Sequence, residues 1–468
     1  MNKSELINRY LKYSQEHNIL EHLSQNKSIH LKGLLGSSAS ILAASYFKTI
    51  EQPFVFILNN KEEAAYFFND LEQFIPKNDL LFYPGSYRRP YQIEETDNAN
   101  VLMRAEVLSR LNSRKKASCM VTYPHAIFEK VITKKELNKN TLKISVGEEL
   151  GLNFLNETLF EYGFQYADFV VEPGQFSIRG GIIDVYSFSN EQPFRIEFFG
   201  DEVESIRSFD LNTQISIKEL KKLTIIPNVE NKDIIESRGS FLNYLDKNTM
   251  IWMKDQDLCQ QELNQLFQKA QETFKELKVT IKQSKPENLF IDGDVFKNTS
   301  KEFNIITFGQ KNHNRAKEID FQTSLQPSFN KQFDLILNHL KEKTIEGYQN
   351  YIVCSSAQQK ERFQNIFSEI EEQIEYKTTL LTIHEGFVDH SNKILCFTDH
   401  QLFERYHKFK LKSKNQFKKT ITLNEITNLE IGDYVTHIDH GIGKFGGLQK
   451  IDVQGKKQEA IKLIYRNN

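Results

Sequence analysis

Cysteine is scarce in this chain: there are four among 468 residues, at positions 119, 259, 354 and 396, and no two of them form a CxxC pair. That spacing excludes a paired-thiolate zinc site and offers no disulfide framework. The thiols read as small core hydrophobes. Cys259, Leu263, Leu266, Ala270, Phe274 and Leu277 recur every three or four residues, which marks one apolar face of a helix. Long apolar runs are also missing, since none approaches the roughly 20 residues that span a bilayer. The opening MNKSELINRYLKYSQEHNI lacks the apolar core and small-residue cleavage site of a secretory signal. The sequence therefore predicts a soluble, cytoplasmic protein with no membrane partner. No charge sign dominates: 60 Lys and Arg against 62 Asp and Glu leave a net charge of −2, so there is no global case for nucleic-acid binding. The imbalance is local, with 13 Lys and Arg against 6 Asp and Glu from Arg405 to Asn468. No internal repeat of fixed period is present.

What is present is an ordinary globular composition, 39% hydrophobic and 26% charged, in a length that suits about three to five domains. Strand-like and helix-like segments alternate from HLKGLLG through SASILAASYF, PFVFILN and KEEAAYFFNDLEQFI to DLLFYPG, the order of a parallel α/β sheet. This gives residues 1–132 as the first part of an α/β domain. Residues 133–208 carry short alternating strands such as FSIRGGIIDVYSF and read as an inserted β-rich domain. The first sheet is expected to resume over 209–318, followed by a small α/β domain over 319–410 and a basic linker over 411–424. Closely spaced glycines between β-branched runs make 425–468 the start of a small, strongly bent β-barrel. It stops inside a strand-like run at Asn468, so the barrel is expected to be incomplete.

One motif speaks to chemistry. A phosphate loop works because glycines let backbone N–H groups point at phosphates while a following Lys and Ser/Thr neutralise charge and hold magnesium. The run Gly33-Leu34-Leu35-Gly36-Ser37-Ser38-Ala39-Ser40 sits between a strand and a helix, where such a loop belongs. Ala39 occupies the lysine position and Ser38 replaces the preceding glycine. The loop is degenerate, so no catalytic residue and no cofactor is expected in this segment.

At the segment VEPGQFSIRGGIIDVYSFSNEQPFRIEFFGDEVESIRSFD, residues 171–210, the chain resembles the transcription-repair coupling factor family, which shares this segment with the nucleotide-excision-repair protein UvrB. GDYVTHIDHGIGKFGGL resembles the start of that family's RNA-polymerase-interacting domain, a CarD/Tudor-like barrel. The resemblance implies a UvrB-like degenerate nucleotide-binding fold, with UvrA as partner of the inserted domain and the RNA polymerase β subunit as partner of the barrel. It further implies a DNA translocase motor, absent from this chain, that would use ATP and magnesium and contact double-stranded DNA. The UvrA contacts it implies fall on Gln165, Phe176, Arg179 and Tyr186; Leu448 and Ile451 are apolar where a half-buried strand would face solvent, and the resemblance makes the polymerase their partner. Gln165 departs from the family, whose members tend to carry arginine there. Tyr83, Tyr87, Arg88, Arg89 and Tyr91 form an aromatic and basic cluster able to stack bases and grip phosphates. His437, Asp439 and His440 could suggest a metal, but Gly441 and Gly443 argue against a helix and no third ligand is evident, so no metal is expected.

The leading expectation is a non-catalytic scaffold that recruits UvrA to stalled RNA polymerase. The alternative is an ATP-dependent damage-verification enzyme like UvrB, against which Ala39 and the lack of a DExH box speak. A stand-alone transcription regulator resembling CarD is a third reading, disfavoured by more than 400 residues ahead of the barrel.

Overall fold

The computed structural model describes residues 3–16, 21, 28–50, 52–86, 98–113, 116–188, 190, 192–211, 213–228, 238–276, 284–309, 312, 316–368, 375–405, 432–437, 441–453 and 456–465. They fall into two compact units, Met1–Leu411 and Lys412–Asn468.

The first unit is organised around a seven-stranded sheet in the order 317–320, 28–32, 304–309, 250–253, 54–57, 119–122 and 80–82. Every pairing in it is parallel. A parallel sheet is covered on both faces, so its strands should be continuously apolar rather than alternating. PheValPheIle at 54–57 and MetIleTrpMet at 250–253 are buried at every position. The helix Ser38–Thr49 is buried from Ser38 to Tyr46. The helix Gln256–Glu276 buries Cys259, Leu263, Leu266 and Ala270, the face its periodicity predicts. All four cysteines are buried, and desolvation holds the Cys119 and Cys259 thiols well above the ordinary range.

A six-stranded sheet, 216–220, 202–209, 194–199, 182–185, 175–179 and 165–166, is inserted in this unit. It is antiparallel except where Gln165–Tyr166 runs parallel to its neighbour. Its outermost strand, Ser216–Leu220, pairs with Glu202–Phe209. The sheet thus extends past the expected limit of 208, because a mostly exposed strand gives little apolar signal. The strands Leu142–Ser145 and Lys222–Ile225 pair at its base. A five-stranded sheet follows in the order 323–325, 387–389, 394–398, 349–354 and 377–380, packed around Ile336, Leu340, Ile352, Phe363, Leu395 and Phe397.

The second unit contains three antiparallel strands, Tyr434–His437, Gly441–Val453 and Lys456–Ile464. The long middle strand breaks register between Phe445 and Leu448, where Gly447 has a φ of +90°. Glycine reaches that backbone region without the Cβ penalty other residues carry. The residues expected to form the linker, 411–424, lie outside the described residues.

Candidate functional site

The degenerate phosphate loop lies where the sequence places it, between the strand Ser28–Lys32 and the helix Ser38–Thr49. Gly33 and Gly36 both take positive φ, +78° and +56°. Ser38, Ala39 and Ser40 are buried. The backbone N–H groups of such a loop must be satisfied by something. Here Leu35 donates to the Thr323 hydroxyl at 2.9 Å and Ser37 donates to the carbonyl of Glu385 at 3.1 Å. Both acceptors belong to the following α/β domain. Among the described residues, no group of three or more His, Cys, Asp or Glu is arranged to hold a metal ion.

The inserted domain presents a different surface. Phe160, at the end of the helix Leu152–Glu161, is 54% exposed; Tyr166, in the short strand Gln165–Tyr166, and Phe169, just beyond it, are 53% and 57% exposed. Phe160 and Tyr166 both meet Phe176 edge-on, with ring centroids 5.0 and 5.7 Å away. Phe176 itself has no exposed surface, and neither does Tyr186. Both were expected on a docking face and are placed in the interior instead, Phe176 as the floor beneath the exposed rings. Gln165 and Tyr166 form the two-residue edge strand and are exposed. Arg179 is 40% exposed, lies over the Phe169 ring, and pairs with Asp184. Asp184 is buried and also receives two hydrogen bonds from Arg195, at 2.7 and 2.9 Å. One carboxylate between two guanidiniums orients Arg179 without consuming its outer donors, since a guanidinium carries five.

Residues 142–230 match the family model described as the UvrB interaction domain. Residues 429–468 match the CarD-like/TRCF RID domain. Over most of its length the chain is similar to the transcription-repair-coupling factors. The factor of Bacillus subtilis strain 168 is 24% identical across 94% of this chain, that of Rickettsia prowazekii strain Madrid E is 26% identical across 91%, and that of Haemophilus influenzae is 22% identical across 92%. The chain spans 43% of the length of each of these relatives.

Other expected site residues scatter. Tyr83 is buried, stacked on Phe241 at 4.2 Å with Arg104 over its ring. It therefore offers no face to a base, and Tyr87, Arg88, Arg89 and Tyr91 lie outside the described residues. Leu448 and Ile451 fall in the strand Gly441–Val453, opposite Ile461 and Gln458. Their side chains lie outside the described residues, as do Asp439 and His440. The exposed aromatics Phe160, Tyr166 and Phe169 were missed by sequence reasoning. Their only signal is three aromatic residues close together in the sequence.

Proposed function

We propose that this chain is a non-catalytic docking module of a transcription-repair-coupling factor, in which the inserted domain recruits UvrA and the glycine-rich C-terminal domain docks on RNA polymerase. The observation that carries this reading is the exposed aromatic group Phe160, Tyr166 and Phe169, with Arg179 beside it, inside the span that matches the UvrB interaction domain. Rigid aromatic rings flanked by arginine are the composition of interface hot spots. UvrA contact then involves Gln165, Tyr166, Phe160, Phe169 and Arg179, with Phe176 and Tyr186 supporting from beneath. Gln165 supplies an amide and no charge, so the apolar contact of the exposed rings contributes more of the affinity here.

On this reading polymerase docks along the strand carrying Leu448 and Ile451. The middle strand is paired with Lys456–Ile464 along one side, whereas Tyr434–His437 covers only Gly441–Lys444 of the other. Among the described residues, the remaining edge toward Val453 has no strand partner, which suits edge pairing with a partner sheet. The domains proposed are an α/β domain with an inserted UvrA-binding domain, a small α/β domain, a basic linker and a small barrel. Affinity for double-stranded DNA and ATP hydrolysis belong to the motor such a factor carries. The test is capture of purified UvrA and of the polymerase β subunit by the chain, separately. Loss of UvrA capture on substitution of Phe169 and Tyr166 supports the reading, and undiminished capture contradicts it.

A further inference from the structure

The segment His384–Gly386 of the second α/β domain lies against the degenerate phosphate loop, and the contact is reciprocal. Ser37 donates its backbone N–H to the Glu385 carbonyl at 3.1 Å, and Glu385 returns its own N–H to the Ser37 hydroxyl at 3.0 Å. The N–H of His384 is received by Asp70 Oδ1 at 2.7 Å, while Ser40 donates its hydroxyl to Asp70 Oδ2 at 2.9 Å. Asp70 is buried near the end of the helix Lys61–Glu72, one helix further along the first domain. The His384 ring stacks on Tyr66 of the same helix at 3.5 Å. His400 and Gln401 hold the segment from behind through the His384 carbonyl, at 2.9 Å, and the Gly386 N–H, at 2.6 Å. The approach is close enough that a Cβ on Gly36 would stand 2.9 Å from the Gly386 carbonyl oxygen.

We propose that His384–Gly386 is a resident occupant of the former nucleotide site, a clasp that uses the loop's anion-cradling N–H group and the buried Asp70 to fasten the second α/β domain to the first. A phosphate would bring oxygen acceptors to that cradle; the Glu385 carbonyl takes the place of one. A peptide carbonyl suits the loop as it stands, because with Ala39 in the lysine position the loop itself carries no cation to neutralise a phosphate. The clasp therefore closes the site independently of the lost lysine, and restoring the lysine does not reopen it.

Hydrogen exchange on the full chain reads this directly. In the wild type the backbone amides of Ser37, His384 and Glu385 should exchange at least 100-fold more slowly than those of exposed loops. Adding magnesium-ATP should leave exchange over residues 33–40 unchanged in both the wild type and Ala39→Lys. Asp70→Ala removes the acceptor, and Gly36→Ala wedges the loop side. Each should speed exchange at those three amides at least tenfold while Ile251–Met253 in the central sheet stay protected. Loop-like exchange of the three amides in the wild type would overturn the proposal. So would ATP-dependent protection of 33–40 in either form, or unchanged exchange at the clasp in both variants.

Discussion

The guanidinium of Arg179 lies over the ring of Phe169, 5.2 Å from its centroid, while its Nη2 pairs with the buried Asp184. An exposed ring is thus joined to a charge whose direction is set from below. Because Arg195 makes its own two bonds to Asp184, truncating Arg179 leaves that carboxylate paired.

Arg179→Ala should therefore weaken UvrA binding by about 1–3 kcal/mol, the range for a charge-assisted bond removed at an interface. Folding stability should change by less than about 1 kcal/mol, since the Arg179 side chain is 40% exposed and Asp184 keeps its two bonds from Arg195. Calorimetry with UvrA and a denaturant titration read the two quantities separately. A large stability loss with unchanged affinity would make Arg179 structural.

Arg104→Ala should be far more damaging to the fold. Arg104 is fully buried, pairs with Glu129 at 3.0 Å and donates to the carbonyls of Pro84 and Ala126 at 2.9 and 3.0 Å. Removing it leaves Glu129 buried beside Ser86 without the Arg104 guanidinium, at a cost of about 3–5 kcal/mol. A shift in urea midpoint measures it, and an effect below 1 kcal/mol would contradict the assignment.

Asp70 should make stability fall as pH rises from about 4 to about 7. Burial pushes its carboxyl up to about 7, against the opposing hydrogen bonds from Ser37, the His384 amide and Ser40. The folded chain then holds a proton that the unfolded chain, titrating near 4, has released. Stability is lost through that window and is flat above it. Glu385 also faces Asp70 and raises it further, and the Cys396 thiol on the other side stays neutral, pushed up to about 12. Asp70→Asn should remove this slope, on the order of 3 kcal/mol between pH 4 and 7. Denaturant titrations of both proteins at matched pH give the difference; parallel curves would place the proton elsewhere.

Ile451→Asp should abolish capture of the RNA polymerase β subunit, because a carboxylate in an apolar contact must be desolvated without a partner. UvrA capture should be untouched, since its proposed surface lies on a different domain. Retained polymerase binding would remove Ile451 from the interface.

The parallel sheet was legible in the sequence because its strands are short, continuous apolar runs that only a two-sided burial explains. The phosphate loop was legible because two glycines sit between a strand and a helix. Phe176 and Tyr186 were misplaced because an aromatic residue in or beside a strand suits either face. The overlying Phe160 and Tyr166 decide the matter for Phe176. The clasp carries no local signal at all, as Asp70 and His384 are 314 residues apart. Nothing about an ordinary His-Glu-Gly turn marks it as the occupant of another domain's loop.

The most direct test of the docking account is a calorimetric titration of UvrA with the whole chain and with a Phe160→Ser/Tyr166→Ser/Phe169→Ser variant. All three rings are more than half exposed, so the fold should survive the change. The account predicts saturable binding by the wild type and at least a 100-fold loss in the variant, with an unchanged circular dichroism spectrum. Equal affinity of the two proteins for UvrA would contradict it.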